Sequence, residues 1–499
     1  MQNLKHWQEK IQEKRKQTSF RDFIKDIASW QPIVFHKSSW MVSRFPSTDR
    51  MPEVVGYSDY YDQGWSEYTH GIDYDESKSL FENYAELRKS VKGINMINFF
   101  NSENSEYADV VSKWKNIYLS AFIVNGDEDV MYSFWVNDES KRILNSAIIS
   151  DHSENVYFSL AVQHSFKVFY SRFINNSSDV WFSTNLLWCT HCLWCHDLEN
   201  KSYHIENVEY TKEEYMEKRD EYLKDRATYH DRYTSLINNP GKHLASENIT
   251  GSYAVESENI ESAHFTYRIS WWRNVFNVGG FQSCQNIYDV FDGGWPSLQD
   301  IYAVNGIAIN SENCYTSCHV PNCNTVFYSY YLESCSFCIW CIWLQNKSYC
   351  ILNKQYTKEQ WEILAGRIFA QMDSEGILWD FFPWELNPFY FNDTMGGILG
   401  NFTKQEVESD GYMWRENEIK VDIPEGSDVI SISDLKHYQS FDNGKWYINP
   451  SILKKVIKDD NGNYYRIIQM EYDFLVKYWL PLPELHWLDR MKLNLWIRN

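Results

Sequence analysis

The chain repeats itself, and the period is too short for any fold built from helical hairpins. Asn116-Ile117-Tyr118-Leu119-Ser120 returns as Asp129-Val130-Met131-Tyr132-Ser133. It returns again over Arg142–Ser146, Asn155–Ser159, Lys167–Ser171, Asp179–Ser183 and His191–Cys195, at steps of 13, 13, 13, 12, 12 and 12. The second column reads Ile117, Val130, Ile143, Val156, Val168, Val180, Cys192. The fifth reads Ser120, Ser133, Ser146, Ser159, Ser171, Ser183, Cys195.

A step of 12 or 13 residues fits one coil of a narrow parallel β-solenoid. Aromatic and β-branched residues suit its short strands. A single coil cannot bury its own inner face, so coils must stack, about 4.8 Å apart. A column of Ser and Cys is what a narrow interior requires. A meander of hairpins reverses direction at each turn and would not hold one register. If the coils are right-handed, they follow the usual crossover rule.

A second repeat lies above the first. Cys189, Cys192, Cys195 and Leu198-Glu199-Asn200-Lys201-Ser202-Tyr203 recur 146 residues later as Cys335, Cys338, Cys341 and Leu344-Gln345-Asn346-Lys347-Ser348-Tyr349. Two arrays are therefore expected, one over 101–210 and one over 245–356, the latter marked by Ile287, Ile301, Cys314, Val326 and Cys338. Each ends in Thr-Lys-Glu-(Glu/Gln), so Thr211 with Glu214 and Thr357 with Gln360 read as capping boxes. Helices are expected over 212–236 and 358–372, where they would cap the stack ends against end-to-end association.

The net charge of −21 over 499 residues argues against nucleic acid or an anionic membrane as partner. No apolar run is long enough to span a bilayer, and the N-terminus reads as charged helix rather than a secretory segment. Eleven cysteines without such a segment point to reduced thiols in the cytoplasm. Trp and Gly are out of balance, at 22 against 21, where average usage would give roughly 35 Gly. Trp188, Trp194, Trp340 and Trp343 crowd the Cys triplets, where tight corners call for positive φ. Two explanations stand: these are UGA codons that the source organism reads as glycine, or they form an outward aromatic ladder.

Several segments resemble a family of uncharacterised Cys-rich repeat proteins of candidate-phylum bacteria, some of which carry an automatic CoA-transferase label. The resemblance runs from about residue 58 to the C-terminus. It rests on Asp73-Tyr74-Asp75, Phe81-Glu82-Asn83-Tyr84, Cys338 to Cys350, Phe381-Phe382-Pro383, Asn387-Pro388-Phe389, Gly411-Tyr412-Met413-Trp414 and Leu480-Pro481-Leu482-Pro483. It implies Gly where this chain has Trp340, Trp343, Trp379 and Trp479. It also implies zinc-ribbon-like Cys pairs near both ends. The chain departs from the pattern there. Lys458-Asp459-Asp460-Asn461-Gly462-Asn463 and Glu484-Leu485-His486-Trp487 stand in their place, and no Cys follows Cys350, which puts a terminal zinc site in doubt. The resemblance carries no activity. The CoA-transferase label needs α/β units that coils this short do not supply. Asn461-Gly462 reads as a hairpin turn.

Cys189/Cys192/Cys195 and Cys335/Cys338/Cys341 have the spacing of thiolates that grip zinc or part of an iron–sulfur cluster. His191 or His196 would complete the first set and Cys350 the second. The competing reading makes these cysteines small buried fillers in the coil columns. Dinucleotide, P-loop, HExxH and GxSxG signatures are absent from the sequence. Asp197, Asp289, Asp292 and Asp300 are candidate carboxylates for a β-helix enzyme acting on carbohydrate. Asp59, Asp62, Asp73 and Asp75 are candidates for calcium, without the EF-hand ligand order.

The expected fold is α+β. It has a helical region over 1–100, β-solenoid array 1 over 101–210, and a helical connector over 211–244. Array 2 covers 245–356, a helical cap with an extended segment 357–420, and a small α/β region 421–499. The expected function is that of a non-catalytic cytoplasmic scaffold or interaction protein with a protein partner. A zinc or iron–sulfur protein using the Cys triplets is the alternative, and a carbohydrate-active β-helix enzyme the third.

Overall fold

In a computed structural model the described residues are Lys10, Lys14 and 19–495, less 38–40, 57–58, 61–69, 100–102, 113–114, 226–228, 238–246, 256–257, 268–303, 306–311, 319–321, 417–422 and a few isolated positions. The chain divides into two compact units, 98–242 with 416–499, and 1–97 with 243–415. Each unit holds one array.

In the first unit, consecutive coils of a parallel β-solenoid stack in strict register. Val156 pairs with Val168, Val168 with Val180 and Val180 with Cys192. A second strand column pairs Val162 with Ile174, Ile174 with Leu186 and Leu186 with Leu198. The steps of 13 seen in the sequence are real, as Ile143 pairs with both Val130 and Val156.

The coil obeys a rule of three. Val156, Ser159, Val162, Ser165 and Val168 face the interior and are almost fully buried. The residue preceding each of the later ones, namely Phe158, Ala161, His164 and Lys167, has left-handed backbone, with φ between 44° and 56°. That conformation turns the chain inward after every outward residue. Its cost for a side-chain-bearing residue is about 1–3 kcal/mol, offset here because the turned amide is paired. The N–H of Phe158, Tyr170, Phe182 and Trp194 each donates to a carbonyl of the preceding coil, to Leu144, Tyr157, Phe169 and Trp181.

Two of the four inner columns are serine ladders. The Ser159 hydroxyl donates to Tyr157 O at 2.9 Å and accepts from Ser171 N–H at 3.1 Å. Ser171 does the same for Ser183. On the opposite side Ser165 and Ser177 repeat the pattern. Thus the corner amides, which strand pairing does not reach, are satisfied by hydroxyls. The 13-residue coils carry their extra residue at one corner. Asp138 and Glu139, and then Asp151 and His152, are both left-handed where later coils have a single such residue. Accordingly Ser140 and Ser153 donate three residues back, and Ser165 only two.

The stack ends in a hairpin. Glu206 and Asn207 both have positive φ, and Ser202–Ile205 turns back antiparallel onto Val208–Glu209. The Asn207 carboxamide accepts from His196 N–H and donates to His196 O, so it stands in for the peptide of a coil that never comes. Asn353 does the same to Ile342 at the end of the second array, at 2.8 and 3.0 Å. Both capping boxes are present, and helices Lys212–Lys224 and Lys358–Ser374 follow them. The expected single helix over 212–236 is two, the second being Tyr229–Ile237.

Aromatic columns on the coils receive these helices. Phe158, Tyr170 and Phe182 stack, and Tyr229 and Tyr233 pack edge-on against them. Tyr157 and Phe169 meet Phe474 and Tyr478, at and beside the end of helix Gln469–Lys477. Helix Trp487–Leu495 docks through Asn494, which donates to Asn145 O and Ser159 O. The fully buried Arg490–Glu471 ion pair at 2.7 Å joins the two helices. The rest of the C-terminal region holds an antiparallel hairpin, Gln439–Asp442 with Lys445–Ile448, and a small mixed sheet. Asp428–Ser431 is parallel to Lys455–Lys458, which is antiparallel to Tyr464–Tyr465. The turn at Asn461-Gly462 is wider than a two-residue hairpin and is closed by Asp459 and Asn463.

In the second unit Cys314, Val326, Cys338 and Cys350 follow one another in register. Ile287 and Ile301 lie outside the described residues. Helices Leu80–Ser90 and Lys358–Ser374 flank the coils, with Tyr84 against Trp340 and Trp361 against Phe337. The segment before Leu80 covers the stack end, where Ile72 N–H donates to Leu352 O. Gly71 passes so close that a Cβ there would sit 2.7 Å from the Asn353 backbone. Among the described residues no helix is long and apolar enough to cross a membrane.

Two substitutions test the ladders by chemical denaturation. Ser171→Ala should cost about 1–3 kcal/mol by stranding the Ser183 amide, while Ser171→Cys should cost less. Asn353→Ala should cost a similar amount by unpairing both backbone groups of Ile342.

Candidate functional site: the cysteine layers

A three-residue inward period turns C-x2-C-x2-C into a layer. Cys189, Cys192 and Cys195 occupy successive inner positions of one coil, all 0% exposed, with Leu198 on the fourth side. Cys335, Cys338, Cys341 and Leu344 form the equivalent layer of the second array, all buried. Register sets Cys350 beside Cys338, and Cys335 N–H reaches Cys323 Sγ at 3.4 Å. Cys189, Cys192, Cys195, Cys323, Cys335, Cys338, Cys341 and Cys350 are buried free thiols.

The flanking thiols are members of the serine ladders. Cys189 N–H donates to Ser177 Oγ at 3.0 Å, and Cys195 N–H to Ser183 Oγ at 2.9 Å. Their own thiols donate to Leu187 O and Leu193 O, as serine hydroxyls do two residues back. Cys341 N–H likewise donates to Ser329 Oγ. The central Cys192 and Cys338 replace valine instead. Hydrogen bonding to Cys189 and Cys195, then burial, pushes the Cys192 thiol up. The bonds to Cys192 pull both of those neighbours down. Cys338 is pushed up in the same way by Cys335, Cys341 and Cys350.

The remaining candidates are scattered. His191 lies on the outer face, stacked on Tyr203 at 4.8 Å, and His196 is exposed beside Asp197. Neither joins the first layer. Asp197 accepts from Asn185 Nδ2, one coil back. Asp73 pairs with Lys354, and Asp75 is held low by hydrogen bonds from Ser77. Asp62, Asp289, Asp292 and Asp300 lie outside the described residues. Among the described residues no group of three or more His, Cys, Asp or Glu is arranged to hold a metal ion.

The two loops that stand where the resemblance implies Cys pairs do meet. Asp459 accepts from Asn463 N–H and from His486 N–H, and Asp489 accepts from Asn463 Nδ2. Burial pushes His486 down to about 4, so it is neutral near pH 7. Hydrogen bonds hold these loops together.

A groove of about 520 Å³ opens between the first array and helix Gln469–Lys477, lined by Asn116, Asp129, Arg142, Asp473 and Lys477 among others. Its charges already have neighbours. Asp129 accepts from Asn116, Arg142 donates to Asn155, and Asp473 accepts from Gln469.

The second serine ladder and the inward period of three were not read from the sequence. Ser153, Ser159, Ser165, Ser171, Ser177 and Ser183 recur every six residues, which is the signal that carries both. Asp127 was also missed. It occupies a ladder position, accepts from Ser140 N–H at 2.7 Å, and is 1% exposed.

The architecture defines a β-solenoid repeat protein. No family model, curated protein or solved structure matches the chain.

Asp127 supplies a pH test. Burial raises its carboxyl well above the usual range, so the folded state favours the protonated acid. Its stability contribution is fully present below the unfolded value of about 4 and is lost as pH rises through the folded value. Asp127→Ser should therefore raise the denaturation midpoint at pH 7 and do so less at pH 4. Equal effects at both would refute the assignment.

Proposed function

We propose that this chain is a non-catalytic cytoplasmic scaffold whose stacked coils present a rigid surface to a protein partner. The observation that carries this reading is the use made of its reactive groups. The cysteines that a chemical function would draw on stand in for serine and valine in the columns, and the ladder thiols are engaged by backbone carbonyls. Outward polar residues likewise pair from coil to coil, as Asn116 with Asp129 and Asn185 with Asp197. Such ladders build a regular, self-satisfied surface on a stiff core, which suits presentation more than proton transfer. The net charge of −21 favours a partner with a basic face.

A metal-binding reading has one observation in its favour. The coil period aims Cys335, Cys338 and Cys341 into one layer with Cys350 beside them, a soft donor set suited to zinc or an iron–sulfur cluster. Holding metal there would require ladder bonds to be given up and the coil to open.

Metal, labile sulfide and free-thiol content of the purified protein separates the two. The scaffold reading expects no stoichiometric metal and eleven free thiols under denaturing conditions. Two zinc per chain, or iron with sulfide, lost on Cys338→Ser, would replace it with the metal reading.

A further inference from the structure

Outside the arrays, left-handed backbone among the described residues falls on Gly376, Gly411, Gly426, Gly444, Gly462 and Asn443, and on two tryptophans, Trp379 at φ 67° and Trp479 at φ 54°. Those tryptophans occupy positions with defined glycine chemistry. Helix Gln469–Lys477 ends with Leu480 N–H bonded to Leu475 O and Trp479 N–H to Val476 O. That pair of bonds is the Schellman motif, whose left-handed residue is most often Gly. The chain makes the same motif at two other helix ends. Ile377 to Met372 and Gly376 to Asp373 close one, and Tyr412 to Val407 and Gly411 to Glu408 close the other. Both of those have glycine at the left-handed position. Trp379 is the third residue of a turn closed by Asp380 N–H to Ile377 O, with positive φ at that residue alone. This is a type II turn, which calls for Gly or Asn there.

Within the arrays the backbone alone does not single out tryptophan, because Tyr328, Tyr331 and Phe337 share it. Trp188 is different. It occupies the corner column of Asn176 and Asn200, at φ 51°, with 48% of its surface exposed. Trp479 is equally exposed, and its indole is met by the Lys445 ammonium at 4.0 Å. An exposed contact of that kind is weaker than the strain it would have to offset. Trp379 is buried against Phe327, Tyr328 and Phe369, so the case for glycine there rests on its backbone. In contrast Trp361 is helical, and its indole donates to Cys350 O.

We propose that the protein made in its own cell carries glycine in place of Trp188, Trp379 and Trp479, these codons being UGA and read there as glycine. Composition and backbone then agree. The shortage of glycine is reduced at positions where the backbone calls for it, and two exposed indoles leave the surface. The inference does not depend on the scaffold reading.

The test pairs the gene's codons with the masses of proteolytic peptides from the protein isolated from its own cells. Expected are UGA and glycine at Trp188, Trp379 and Trp479, with UGG and tryptophan at Trp361. UGG at Trp379 and Trp479, or tryptophan in the native peptides, overturns the proposal. A stability measurement on protein carrying tryptophan at all of these positions checks the physical basis separately. Trp479→Gly should raise the melting temperature by about 2–4 °C, and a fall would overturn the claim that the position is built for glycine.

Discussion

Everything in this molecule depends on one backbone habit: after each outward residue the chain enters the left-handed region and comes back inward. With a period of three, four inward side chains close a coil of 12 residues, and a coil so narrow leaves room only for small and branched residues such as valine, serine and cysteine. Ordinary strands alternate with a period of two. The habit is sustained because neighbouring coils pair the turned amides, so no coil is stable without another on at least one side. Cooperativity along the stack follows from this local strain.

The solenoid was legible because stacking writes its register into the sequence. The columns ending in Cys192 and Cys195 stand out in the order of the residues alone; the strand pairings follow the first residue for residue, and the ladder bonds follow the second. The caps at Thr211 and Thr357 were legible too, since a capping box is a four-residue signal. The second serine ladder was hidden by the extra corner residue at Asp138-Glu139 and Asp151-His152, which breaks the six-residue spacing in the early coils. The cysteine spacing was ambiguous for a physical reason. A metal knuckle and an inward period of three both place thiols three apart, and only the ladder bonds at Cys189 and Cys195 tell the hydroxyl-like role from a ligand's.

The docked helices show how a repeat this regular is made specific. Aromatic residues at left-handed positions form stacks such as Phe158–Tyr170–Phe182, and each stack receives its own helix. The buried Arg490–Glu471 pair adds little net stability by the usual reckoning, yet breaking it would strand a charge in the core. Its position between two C-terminal helices suits a role in fixing their mutual orientation.

Asn207 and Asn353 have an evolutionary consequence. Each closes its array by imitating the backbone of an absent successor, and each carboxamide bonds only to the coil directly beneath it. That closure does not depend on how many coils precede it, so an array with a whole coil more or fewer upstream would end in the same way. Loss of that carboxamide would unpair both backbone groups of the residue beneath it, His196 or Ile342.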